Sequence, residues 1–257
     1  MEFIEMMNQI SKICNHYREK HNCENCPIDI ESEDLWINCF SFIRNYPEKA
    51  EEIVTKWTKE NVPKTHIRVI TAPDNYELKR DDITCFLAGG ITGCYDWQKK
   101  VLDHMEKLYE KGNSTTKEAL DHLVIFNPRR ENFPIDNPAA ANEQIEWEFN
   151  RLNKCNIFSI YFPTSDSDQP ICMYELGRYV NEKTWLHGTG KNSDLYKHLV
   201  ITVEVGYKRK NDVVIQTNLA TRIGTLVYAY ISSEAAIESH ASRIVQAAEA
   251  LYSKEEV

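Results

Sequence analysis

The chain has 257 residues, a formal net charge of −9 and 42% hydrophobic residues. These figures fit one large or two unequal globular domains, and they exclude a collagen, wholesale disorder and a multi-span membrane protein. The acidic balance argues against a dedicated nucleic-acid binder but leaves room for a local basic site that holds a small phosphate.

Met1–Gln9 carries Glu2 and Glu5 where a signal peptide carries Lys or Arg. No apolar run reaches the roughly 18 residues that span a bilayer. The expected compartment is the cytoplasm, where the cysteines stay reduced thiols or metal ligands.

Phe3, Ile4, Met7 and Ile10 recur at helical spacing. Half of the cysteines follow within the first 39 residues: Cys14, Cys23, Cys26 and Cys39. Four thiolates suffice for a tetrahedral structural zinc, and the Cys-Glu-Asn-Cys knuckle suits zinc better than a redox pair. An iron–sulfur cluster, or plain burial of small apolar thiols, fits the same residues. Four cysteine ligands leave no open position, so such a metal would be structural, and catalysis is expected to need no cofactor. Glu48–Lys59 follows Pro47 and reads as a helix that buries Ile53, Val54 and Trp57. Asn61-Val62-Pro63 breaks it. The predicted division is a helical module over residues 1–63 and an α/β domain over 64–257.

Beyond Pro63, strand and helix patterns alternate. Strands are predicted at Ile67–Thr71, Ile83–Ala88, His122–Phe126, Asn156–Phe162 and Leu199–Val205. Helices are predicted from Trp97 to Tyr109, at Glu143–Lys154, at Cys172–Val180 and at Ser233–Tyr252. This alternation implies βαβ units and a parallel sheet covered on both faces. In such sheets ligands bind beyond the carboxyl ends of the strands.

Four post-strand segments therefore matter. Gly89-Gly90-Ile91-Thr92-Gly93 follows the second strand; its glycines let backbone N–H groups approach an anion, though they also suit a plain turn. It is neither a dinucleotide fingerprint nor a P-loop. Arg129 and Arg130 follow the third strand and can grip a phosphate or form surface ion pairs. Glu143, Glu146, Trp147 and Glu148 crowd one helix. Glu175 stands in the otherwise apolar Ile171–Gly177, where partial desolvation suits a nucleophile or base; the alternative is a first-turn Glu on a helix dipole.

Taken together, the segments resemble the nucleoside 2-deoxyribosyltransferase superfamily, in its nucleoside 2-deoxyribosyltransferase-like branch common in bacteria and their phages. The matching residues are Phe86–Ile91 with Trp97-Gln98, Asn127–Arg130, Glu143–Glu148, Tyr174–Gly177 and Gly206–Arg209 with Asp212–Gln216. The resemblance implies a Rossmann-like, flavodoxin-type sheet. It implies cleavage or transfer at the N-glycosidic bond of a nucleoside or nucleotide, with Glu175 as nucleophile through a glycosyl-ester intermediate. Glu148, with Glu146 or Glu143, is the candidate second acid, and Asp96 is held in reserve. Trp97 or Trp147 would give an aromatic floor, with Tyr174 beside the nucleophile. Gly89–Gly93 with Arg129 or Arg130 would hold a 5′-phosphate. It further implies a homo-oligomer that completes the pocket from a neighbouring subunit, with Ser233–Tyr252 as a contact surface or an intrachain packing element. Asp166-Ser167-Asp168-Gln169-Pro170 departs from the short acidic approach to the nucleophile in the transferases. Two further readings stay open: a nucleotide sensor or sponge that uses the same pocket without turnover, and an adaptor whose cysteine module recruits a partner.

Overall fold

The computed structural model describes residues 3–19, 25–34, 38–61, 65–134, 136–180, 197–221 and 227–255. The chain divides into two compact units, residues 1–64 and 65–257.

The first unit is helical: α1 (Phe3–Glu19), α2 (Pro27–Asp34), α3 (Cys39–Asn45) and α4 (Pro47–Asn61). Its core gathers Ile13, Ile28, Phe42, Ala50 and Val54, all at most 1% exposed. Asn38 caps α3 by accepting from the Ser41 N–H at 2.9 Å. Cys14 is exposed, Cys26 is buried, and the half-buried Cys39 thiol donates to Asp29 Oδ1 at 2.9 Å. Cys23 lies outside the described residues, as does the predicted break at Pro63. Among the described residues no three metal-binding side chains cluster.

The second unit is a six-stranded parallel sheet in the order β1-β3-β2-β4-β5-β6. Its strands are β1 (Arg68–Thr71), β2 (Ile83–Gly89), β3 (Leu123–Asn127), β4 (Ile157–Phe162), β5 (His198–Glu204) and β6 (Val227–Tyr230). Leaving out the edge strand β1, the order is that of the flavodoxin-type sheet, as expected. β2 and β4 are buried at every position, which is why they read as continuous apolar runs rather than alternating ones.

Helices α5 (Trp97–Lys111), α6 (Ser114–Asp121) and α10 (Ser233–Glu255) cover one face. Helices α7 (Pro138–Lys154), α8 (Pro170–Tyr179) and α9 (Lys210–Thr221) cover the other. Ala236, Ala241, Ala247 and Ala248 of α10 are buried in the first layer, so this small-residue stripe packs within the unit. The strand β6 and the helices α2, α3, α6 and α9 were not predicted. β6 has only four residues and is exposed at Tyr228 and Ala229, although its sequence lies in the apolar run 226–231. Among the described residues no helix is long and apolar enough to cross a membrane.

The turn after β2 is fixed from below. Gly89 has φ +147°, and a Cβ there would stand 2.3 Å from the Tyr161 carbonyl oxygen and 2.6 Å from the Trp97 ring. Only glycine fits. Trp97 is fully buried, stacks on Tyr161 at 4.9 Å between ring centroids and donates Nε1–H to the Gly90 carbonyl at 2.8 Å. Trp97→Phe keeps the stacking but removes this donor. It is expected to cost about 1–2 kcal/mol, read as a lower denaturant midpoint at unchanged slope.

Candidate active site

The sheet's strand order reverses between β2 and β4, and a cavity of about 220 Å³ opens there beyond the strand ends. Its floor is Phe86, Ala88, Gly89 and Gly90 from β2 and its turn. Ile91 and Thr92 continue that wall, and Pro128 closes it after β3. The loop after β4 adds Ser167, Gln169 and Pro170. Two carboxylates enter from opposite helices: Glu148 from α7, and Glu175 from α8 beside Ile171 and Cys172.

Helical periodicity decides which α7 residues reach the cavity. Gln144 and Glu148 are four apart and share a face. Gln144 Nε2 donates to Glu148 Oε1 at 2.7 Å and to the Pro128 carbonyl at 2.8 Å. One amide thus ties the carboxylate to the end of β3. Glu143, Glu146 and Trp147 line a separate polar groove against Pro73 and Asn75. Ile145 and Phe149 are exposed.

Burial raises the pKa of both carboxyl groups. Glu175 is pushed up to about 8, first by desolvation and then by the neighbouring Glu148 charge. Glu148 is raised by desolvation, partly offset by the Gln144 hydrogen bond that favours its ionised form. The Cys172 thiol is also raised, chiefly by burial and then by Glu175, so it is no thiolate nucleophile. Two adjacent carboxyl groups with different proton affinities titrate as a unit, an arrangement that can serve acid–base chemistry. Gln144→Leu removes the bond that holds the Glu148 value down. The acidic limb of any activity profile is expected to move up in pH, and further than the basic limb.

The structure brings Glu148, Glu175, Gly89, Gly90, Ile91 and Thr92 together around one cavity. It places the other predicted site residues elsewhere. Trp97 is a core residue beneath the turn rather than an aromatic floor. Trp147, 6% exposed, donates its Nε1–H to the Asp74 carbonyl at 2.8 Å, and the aromatic wall is Phe86 instead. Asp96 caps α5 by accepting from the Lys99 N–H at 2.9 Å. Gly93 has φ +71° in the open part of the turn. Tyr174 is 67% exposed, and Glu146 lies in the α7 groove.

Neither arginine lines the cavity. Arg129 donates Nε–H to Gln98 Oε1 at 2.8 Å and Nη2–H to the Tyr95 carbonyl at 3.1 Å, and it pairs with Asp96 at 3.4 Å. It braces the glycine turn from behind. Arg130 pairs with Glu143 at 3.5 Å. A strand-end Arg-Arg looks like an anion grip in sequence because its partners, main-chain carbonyls above all, are invisible there. Sequence reasoning missed Phe86, Pro128, Gln144, Ser167, Gln169, Pro170 and Cys172. The i, i+4 spacing of Gln144 and Glu148 was the one local signal among them.

Fold and cavity together define a flavodoxin-type α/β protein with a two-carboxylate site at its switch point. Residues 82–189 match the family model described as nucleoside 2-deoxyribosyltransferase like, and this segment includes every residue of the cavity lining. The match bears out the superfamily resemblance for that segment. No curated protein matches the chain.

Proposed function

We propose that the second unit cleaves or exchanges the N-glycosidic bond of a 2-deoxynucleoside, with Glu175 as nucleophile and Glu148 as proton carrier. The observation that carries this reading is the pair of half-buried, partly desolvated carboxyl groups facing one cavity from α7 and α8. A Glu175 carboxylate oxygen attacks C1′ of the sugar and forms an ester. The C1′–N bond breaks, its electron pair stays on the base nitrogen, and Glu148 supplies a proton to the leaving base. Water or a second base then attacks C1′ and hands its proton to Glu148. The ester bond breaks and returns the Glu175 carboxylate. This is the logic of a retaining glycosidase, in which one group is acid and then base.

The reading favours a nucleoside without a 5′-phosphate. The charged side chains among the described lining are both carboxylates, and Arg129 and Arg130 are engaged elsewhere. Homo-oligomerisation is part of the proposal, and light scattering of the whole protein tests it. A structural zinc in the first unit is proposed too, and metal analysis of protein purified without chelator tests that.

The test of function incubates the protein with 2-deoxynucleosides and their 5′-monophosphates, with and without added free bases, and identifies products by mass spectrometry. Release or exchange of a base, absent with Glu175→Ala, is the expected result. Retention of one intact compound without turnover would replace the enzyme by a binding protein.

A further inference from the structure

Gln169 is a residue that its local structure does not explain. It precedes α8 at the N-cap, with φ 49° and ψ 55°, and is the one non-glycine residue with positive φ among the described residues. A side chain in that region carries a conformational cost of about 1 kcal/mol or more. Asn or Gly takes the conformation more readily, and Ser, Thr, Asp or Asn caps a helix better. Gln169 gives α8 no side-chain cap. The reason for glutamine must lie in its amide.

That amide is held rigidly. The residue is 4% exposed. Nε2 donates to the Pro163 carbonyl at 3.0 Å and to Ser165 Oγ at 3.2 Å. Because Nε2 faces two acceptors, the orientation of the amide is fixed. Oε1 is thereby turned to the Gly90 side, 2.7 Å from where a Cβ on Gly90 would stand. Gly90 and Gln169 both line the cavity that holds Glu148 and Glu175. Oε1 is buried and has no hydrogen-bond partner among the described residues. A buried acceptor without a donor is costly, and the Gln169 amide packs closely on Gly90, where a Cβ would stand 2.7 Å from its Cδ, its Oε1 and the Cys94 Sγ.

We infer that Gln169 is a specificity-determining residue: its Oε1 accepts a hydrogen bond from an O–H or N–H donor of the ligand bound between Glu148 and Glu175. The inference rests on the nucleoside reading proposed above. A sugar hydroxyl and a base N–H share this chemistry, and the experiment separates them.

Binding is measured calorimetrically in Glu175→Ala, so that no probe is consumed, and in Glu175→Ala with Gln169→Met, which keeps length but removes the acceptor. The probes are the four common 2′-deoxynucleosides. The best-bound one is then compared with analogues that lack one donor at a time: a base N–H, the 3′ O–H or the 5′ O–H. Loss of one of these donors is expected to weaken binding about tenfold with Gln169 present and less than about twofold in Gln169→Met. Any general damage to the loop by the methionine acts on all probes alike and leaves this ratio unchanged. The same penalty in both proteins, or no penalty for any donor, overturns the role of Gln169 while leaving the nucleoside reading standing. Failure of all four nucleosides to bind overturns both.

Discussion

Glu175→Gln is expected to lower base release at least ~10³-fold and to make the protein more stable at alkaline pH. The first effect follows, on the proposed mechanism, from removing the oxygen that attacks C1′. The second follows from burial. Glu175 has its pKa raised to about 8 from an ordinary carboxylate value near 4.5, so between those pH values the folded state binds more protons at this site than the unfolded chain. Stability at this site is therefore lost as pH rises through that window, and it is the ionised folded form that suffers. Glutamine carries no charge to desolvate. Glu175→Gln should gain about 2–4 kcal/mol relative to the parent at pH 8 and less than about 1 kcal/mol at pH 5. Thermal midpoints across pH read this difference. A residue that merely completes a hydrogen-bond network would lose stability on replacement rather than gain it.

The pH dependence of turnover is the second large effect. In the proposed mechanism the pair holds one proton in total. It rests on Glu175, the more basic group, and turnover needs the arrangement in which it has passed to Glu148, leaving Glu175 ionised for attack. Below the raised Glu148 value both carboxyls are protonated and the nucleophile is lost. Above about 8 the pair is empty and the leaving base has no proton donor. The ratio kcat/KM should follow a bell whose basic limb lies near 8. Glu148→Gln removes the acid and the neighbouring charge together. Turnover is expected to fall about 10²–10⁴-fold, and its remainder should rise with pH to a plateau, without a basic limb. The limbs belong to the pair as a unit, so moving one by mutation of its partner is the informative result.

The fold was largely legible because buried parallel strands leave apolar runs that need no partner to be recognised. Ile83–Ala88 and Asn156–Phe162 match β2 and β4 to within a residue or two. The site was legible where main chain makes it, as in Gly89–Thr92, and where a charge sits in an apolar stretch, as at Glu175. It was not legible where one residue type serves two ends. An indole beside a glycine turn reads as a ligand platform, yet Trp97 uses its N–H to hold the turn from beneath. Arginines at a strand end read as an anion grip, yet Arg129 is consumed by carbonyls of the turn it braces. Gln169 gives no local signal, because its place depends on a left-handed backbone and on acceptors four and six residues upstream.

The most direct test of the account is a search for the covalent intermediate. The protein is mixed with a 2-deoxynucleoside that it turns over, quenched in acid within the first turnovers, digested and mapped by mass spectrometry. The account predicts a 2-deoxyribosyl adduct on the peptide that carries Glu175, located at Glu175 by fragmentation. The adduct should disappear on a chase with free base and be absent from Glu175→Gln. Rapid base release with the Glu175 peptide unmodified at every quench time, or an adduct on Glu148 instead, would contradict it.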